Sequence, residues 1–308
     1  MSGNDSGSPP EPRLESAAAQ TAAPSEHVLL PLAPGIAAGL ALGISDVLSK
    51  IVLGDGGHVL PMLSFRSVIG LVFVATWLRF GKKPYANARI RLVSMAVGVM
   101  FTGLIYCLFK AIEAVDVSTA ILSYFTYPVL TGLAASALRI EPLRWQGALC
   151  ALAAFLGLAI MIGAHPAGLA LAGVAYGIGA GCWRVAVLLT TRVYLVGADA
   201  RLTTWYSMIS STALFLAASL VVRDWNMPHS NLGWTALVVM SLATTAGILL
   251  IFISTVRIGP FRTALILNLE PLTATILSAL VLGDAMTPLQ GLGSAIMLGA
   301  LVAFQLLR

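Results

Sequence analysis

The sequence predicts an all-α membrane protein of ten transmembrane helices built as two inverted five-helix repeats. Three observations carry this reading. The first is composition: the 308 residues are 58% hydrophobic and only 10% charged, whereas a soluble domain is about 25% charged. The second is arrangement. The apolar residues come in blocks of about twenty, the length that crosses roughly 30 Å of hydrocarbon at 1.5 Å per residue; a membrane barrel would show short segments of alternating polarity instead. The third is duplication. Gly35, Gly39 and Gly43 form a glycine run that returns as Gly173, Gly177 and Gly181, and Pro128 followed by Glu141 returns as Pro271 followed by Asp284. The offsets agree on a repeat of about 140 residues. By this reading each copy holds five spans, and an odd number of crossings turns the second copy upside down in the bilayer.

Taken in order, residues 1–28 are dominated by Ser, Pro, Ala, Gly and Glu without apolar periodicity. Such a segment cannot bury enough surface to fold, and it reads as a disordered cytoplasmic tail. It lacks the basic start, apolar stretch and cleavage site of a signal peptide. Ten helices follow, at roughly 29–53, 60–79, 93–112, 116–138, 145–163, 167–190, 203–222, 234–256, 262–282 and 288–307. The first repeat takes in residues 29–163 and the second 167–307. Pro61, Pro166, Pro260 and Pro288 fall near helix starts, where a missing N–H is tolerated. Pro128 and Pro271 fall inside spans, where each frees a carbonyl and marks a kink or hinge.

Orientation follows from the basic residues. Arg79, Lys82, Lys83, Arg89 and Arg91 crowd the loop after the second span. Arg139 and Arg144, Arg192 and Arg201, and Arg257 and Arg262 mark the other even-numbered loops. The positive-inside rule places this set, and with it both termini, in the cytoplasm of an inner-membrane protein. The net charge of +5 therefore describes loops and implies no nucleic-acid partner; the partners are the lipid bilayer and a small molecule. Cys107, Cys150 and Cys182 lie in apolar spans without metal or disulfide spacing and read as small buried hydrophobes. No P-loop, metal spacing or nucleophile–base set is evident, so no metal, cofactor or catalytic residue is assigned.

Residues expensive to bury carry the functional reading. A charged side chain at mid-span costs roughly 2.5–3.5 kcal/mol on insertion scales, so each such residue needs a role and a partner. Asp46, Arg66, Arg184 and Glu270 qualify. Counting along the expected helices pairs Asp46 with Arg66 toward the outer side and Arg184 with Glu270 toward the inner side, as two sites separated in depth. These are either locks between helices or groups that meet substrate or a proton. Tyr106, Tyr127, Trp183 and Trp205 join them as aromatic binding candidates, although aromatic residues near span ends also serve as interfacial belts. Gly35, Gly39, Gly43, Gly173, Gly177 and Gly181 make smooth faces suited to close packing, to sliding, or to both.

The duplicated pattern reads Tyr127-Pro128, then Glu141 and Gly147, and again Glu270-Pro271, then Asp284 and Gly291. It resembles the ten-helix EamA family of the drug/metabolite transporter superfamily, and Arg66 matches an arginine common in its second span. Asp284 in place of the usual Glu, and one extra residue before Gly291, are departures. The resemblance implies alternating-access transport of a small polar metabolite, such as an amino acid or related zwitterion or cation. Asp46-Val47-Leu48-Ser49-Lys50 and Phe65-Arg66 also resemble members described as S-adenosylmethionine carriers. A lipid-linked flippase and an intramembrane enzyme are the rival readings; the enzyme would need its acid–base groups in one pocket.

Overall fold

The computed structural model describes residues 26–80, 85–115, 117–163, 170–223, 225–283 and 287–306. Most of the expected tail, and Asp284, lie outside them. Twelve helices are found among the described residues: α1 Glu26–Gly54, α2 Val59–Phe80, α3 Ala88–Ala114, α4 Val117–Tyr124, α5 Tyr127–Ala137, α6 Trp145–Ile162, α7 Leu171–Tyr194, α8 Ala200–Val222, α9 Asn231–Ile258, α10 Pro260–Ile266, α11 Leu269–Leu282 and α12 Pro288–Leu306. They make ten stretches long and apolar enough to cross a membrane, with α4 and α5 sharing one crossing and α10 and α11 another. The chain is an all-α, multi-pass membrane protein.

Several boundaries move from the expected ones for local reasons. The third span starts at Ala88 because Asn87 Oδ1 accepts the Ile90 N–H at 2.8 Å and caps the helix. Arg89 and Arg91 therefore belong to its first turn. Ser230 Oγ likewise accepts the Gly233 N–H at 3.0 Å and starts α9 early. The sixth span runs Leu171–Tyr194, four residues later than the apolar run suggests.

The two intramembrane prolines do more than kink their spans. Pro128 is the second residue of α5 and Pro271 the third of α11, and each follows a true interruption. Without an N–H, proline leaves the carbonyl four residues back without its helical donor. Local bonds tighten the chain beside the breaks: Thr126 Oγ1 donates to the Ser123 carbonyl at 2.7 Å, Asn268 Nδ2 to the Leu265 carbonyl at 2.9 Å, and the Leu267 carbonyl left by Pro271 accepts the Glu270 N–H at 3.0 Å. Backbone so exposed is tolerated at membrane depth only where protein surrounds it. Tyr127, Leu267 and Asn268 are accordingly buried.

What surrounds each break is a glycine face from far along the chain. A Cβ on Gly39 would lie 2.9 Å from Leu269 Cβ, and one on Gly43 2.7 Å from the Glu270 carbonyl oxygen, so α1 lies against the α10–α11 break. A Cβ on Gly177 would lie 2.5 Å from Ser123 Cβ, and one on Gly181 3.0 Å from the Tyr124 carbonyl oxygen, so α7 lies against the α4–α5 break. The rest of the packing has the same reciprocity. Helix α1 packs on α9 as α7 packs on α3, and α2 packs on α9 as α3 packs on α8. Helices α6 and α12 cross at Gly157 and Gly293, where a Cβ on either residue would meet the other's carbonyl oxygen. Buried hydroxyl pairs pin three contacts: Ser45–Thr244 at 2.6 Å, Ser64–Ser219 at 2.8 Å and Ser254–Thr263 at 2.9 Å. Helix-to-helix hydrogen bonds of this kind contribute about 0.6–2 kcal/mol each.

The two ends of the bundle differ. Arg79, Arg192 and Arg257 sit in the last turns of α2, α7 and α9, where cations complement the helix dipole. At the other end the α1–α2 loop is tied to the α8–α9 loop. Asp55 accepts from the Ser230 N–H at 2.7 Å and its Oγ at 2.9 Å, and His58 N donates to the Asn226 carbonyl at 3.0 Å. The Ser230 bonds hold the Asp55 carboxyl below the usual carboxylate range.

Candidate functional site

The four intramembrane charges come together in one cavity, and the two depth-separated sites of the sequence reading are not observed. Asp46, Arg66, Arg184 and Glu270 all line an inner lobe of about 180 Å³. The reason is the shift of the sixth span. With α7 running Leu171–Tyr194, Arg184 is at mid-helix rather than in its inner half. Glu270 is central in Pro260–Leu282, and Asp46 and Arg66 lie about four residues from the centres of their spans, or about 6 Å at 1.5 Å per residue.

Within the lobe, Arg184 Nη2 lies 3.6 Å from Glu270 Oε2, the one pair of the four within 4 Å. The guanidinium is packed over the rings of Tyr127, at 5.6 Å, and Phe101, at 5.9 Å. Arg184 is 6% exposed and Glu270 15%. Arg184 Nε, Glu270 Oε2 and the Tyr127 hydroxyl are buried without a hydrogen-bond partner. Buried polar groups are rarely left so. Two of these residues, Arg184 and Glu270, line the void, which makes it a place where a polar ligand gains bonds that the protein does not supply itself. Asp46 is exposed, but into the void.

The lobe shares Ser45, Asp46, Arg66, Tyr124 and Glu270 with an outer lobe of about 550 Å³. That lobe is lined by Lys50 and Leu53 at the end of α1, Val59 at the start of α2, Val117 at the start of α4 and Gln290 in the first turn of α12. It thus leads to the end of the bundle away from the arginine-bearing loops. Lys50, one turn beyond Asp46, donates to Ser278 Oγ at 2.9 Å across this opening. At the arginine-bearing end α5, α6 and α10 pack closely around Phe261. Phe261 is wedged where a Cβ on Gly132 or Gly147 would meet its ring at 2.8 or 3.0 Å. Glu141 stands shortly before α6 in the sequence. It reaches instead to α10, where Glu141 Oε2 accepts the Phe261 N–H at 3.2 Å. Burial pushes this carboxyl above the usual range, against the opposing pull of the Phe261 N–H, Arg262 and Arg192.

The aromatic candidates divide. Tyr127 is fully buried beneath Arg184, with its ring 5.2 Å from that of Tyr124, which is the tyrosine that lines the cavity. Tyr106 is 57% exposed and Trp183 38% exposed. Neither lines the cavity; Trp183 packs over Gly103 on the far side of the α3–α7 contact. Trp205 is half-buried and also away from the lining. Counting turns from one end of a span could not decide which side of the helix faced inward. Sequence reasoning missed Ser45, Thr244, Thr245 and Asn268. The signal for Asn268 was available: an amide inside a span, two residues before an acid and three before a proline. Among the described residues no group of three or more His, Cys, Asp or Glu is placed to hold a metal ion.

Ten apolar crossings around a mixed-charge cavity, with two crossings broken at its wall, define a multi-pass transport protein for small molecules. The chain belongs to the EamA-like transporter family, whose model matches residues 31–163 and 171–305. Family membership, rather than any separation of the charged groups, is what sets it apart from enzymes. The threonine/homoserine exporter RhtA of Escherichia coli K12 is 27% identical over 256 residues, covering 82% of this chain and 81% of its own length. The same protein from the O6:H1 and O157:H7 strains matches equally. A solved structure described only as a crystal structure of a protein superposes with a TM-score of 0.77 at 15% identity, over 90% of this chain and 96% of its own, which establishes likeness of fold alone.

Proposed function

We propose that this protein is a bacterial inner-membrane carrier that exports a small zwitterionic metabolite, an amino acid or close relative, by alternating access between two inverted five-helix halves, residues 29–163 and 167–307. The observation that carries the reading is the central cavity, where Asp46 and Glu270 are set among Arg66 and Arg184. A zwitterion presents an ammonium to the carboxylates and a carboxylate to the guanidiniums, and Arg can hold the latter through two parallel bonds. The likeness to RhtA, a threonine/homoserine exporter, supports an amino-acid substrate, and the reciprocal packing of each glycine face on a distant broken span supports the inverted repeat. The arginine-bearing end is the cytoplasmic one by the positive-inside rule, with both termini on that side. The conformation described is then open outward.

Asp46 and Glu270 are also the groups available to couple transport to protons. Glu270 ranks first because it adjoins Pro271 at the break, where bending of the span moves it relative to Arg184. The test is counterflow in proteoliposomes of the purified chain, with labelled threonine and homoserine beside an aromatic methylsulfonium nucleoside. Saturable threonine or homoserine exchange, lost in Arg184→Gln, is the expected result. Exchange of the sulfonium nucleoside alone would overturn the amino-acid assignment. If Glu270→Gln and Asp46→Asn both keep a normal response to a pH gradient, the proton-coupling role is wrong.

A further inference from the structure

A second cavity, of about 680 Å³, lies at the arginine-bearing end. Its wall comes from the start of α1 (Pro31), the α5–α6 loop, the ends of α7 and α9, α10 and the end of α12. Arg144, Arg192, Arg257 and Arg262 line it against a single carboxylate, Glu141. That carboxylate already accepts the Phe261 N–H, and Arg192 donates to the Val256 carbonyl. Among the described residues no other acid lines the cavity, so four guanidiniums share one carboxylate there. Four like charges drawn into one concavity repel one another unless an anion joins them, and planar guanidiniums match the oxygens of a phosphate.

The setting favours a lipid over a free ion. The cavity lies at helix ends, beside Trp145, which is 71% exposed and suits the headgroup level as interfacial tryptophans do. Ile140, Ile258 and Phe304 add an apolar flank on which an acyl chain can rest. Basic pockets between transmembrane helices at the cytoplasmic surface hold anionic headgroups for these reasons. We infer that the cavity lined by Arg144, Arg192, Arg257 and Arg262 binds the phosphate headgroup of an anionic phospholipid of the inner leaflet. Bound there, the lipid bridges the α5–α6 loop to the start of α10, the same two segments that Glu141 joins.

The experiment uses the full chain in mild detergent, with lipid binding counted by native mass spectrometry and thermal unfolding followed in parallel. Phosphatidylglycerol, phosphatidylcholine and inorganic phosphate are the probes. Phosphatidylglycerol should bind and raise the unfolding midpoint, and phosphatidylcholine should do neither. Arg144→Gln/Arg262→Gln should weaken phosphatidylglycerol binding by roughly thirtyfold, since each basic residue contributes about one factor of five near an anionic surface. If that double variant does not fold, the exposed Arg257→Gln, with a roughly fivefold loss, serves the same purpose. Arg89→Gln/Arg91→Gln alters basic residues at the same end but outside the cavity and should leave binding unchanged. Equal binding of both lipids, equal loss in the two double variants, or full stabilisation by inorganic phosphate alone would each overturn the assignment.

Discussion

Adding one methyl group to Gly43 tests the packing around the broken spans. Its Cβ would lie 2.6 Å from Thr273 Cβ, 2.7 Å from the Glu270 carbonyl oxygen and 2.9 Å from Thr273 Cγ2. Carbon atoms rest about 3.5–4.0 Å apart, so α1 and α11 must separate by roughly an ångström. One of the obstacles is backbone, which cannot swing aside as a side chain can. Overpacking of this kind costs about 1–3 kcal/mol. The change also brings a favourable term, because alanine is about 0.5–1 kcal/mol better than glycine within a helix. Gly299→Ala isolates that term: Gly299 is exposed on α12, and nothing lies within 4 Å of its Cβ position. Subtracting one variant from the other cancels the propensity and leaves the steric cost, about 1–3 kcal/mol in favour of Gly299→Ala. Equilibrium unfolding in mixed micelles of mild detergent and SDS measures the difference. If the two variants unfold at the same SDS fraction, α1 does not lie against the break as described. If Gly43→Ala folds but exchanges substrate slowly, the face also moves during transport.

Three further outcomes are expected. Arg184→Gln and Glu270→Gln, made singly, should each destabilise by about 3–5 kcal/mol, as when one partner of a buried pair is removed, while the double variant recovers stability without transport; single variants as stable as the wild type would show the pair to be structurally idle. The two loop carboxylates should respond to pH in opposite directions. Glu141, held above its usual range by burial, contributes stability below about pH 4.3 that is lost as the pH rises through its folded value, so Glu141→Gln should gain on the wild type toward about pH 8. Asp55, held below its range, contributes stability above about pH 3.9 that is lost on further acidification, so Asp55→Asn should be destabilised at neutral pH and converge with the wild type in acid; unfolding midpoints across pH decide both. A membrane-impermeant thiol reagent should fail to label Tyr85→Cys from outside intact cells, and efficient labelling would invert the orientation.

The crossings were legible in the sequence because bilayer thickness sets their length, and the broken spans were legible as Pro128 and Pro271 because no other residue both removes a donor and blocks the helix. The glycine runs announced close packing, but not their partners, since a flat face says nothing about what lies on it. The depth of Arg184 was misread because the apolar run before α7 extends beyond the helix, and an error of four residues is about 6 Å along the axis. That error alone divided one cavity into two. The direction of Tyr106, Trp183 and Trp205 depended on rotation about the helix axis, which a nearly uniform apolar span leaves unmarked. Glu141 stands shortly before α6 in the sequence, but the tertiary fold sets its carboxylate at the start of α10, a contact that no local spacing marks.

The exchange of glycine faces has a consequence for how the protein is made. When the first five crossings have left the ribosome, the gap between α4 and α5 has not yet met α7, and the smooth side of α1 has not yet met α10 and α11. Until then lipid or a chaperone must cover the broken stretch of helix, and the nascent half remains a loose intermediate. Synthesis of the later crossings therefore does two things at once: it adds the second half, and it completes the first.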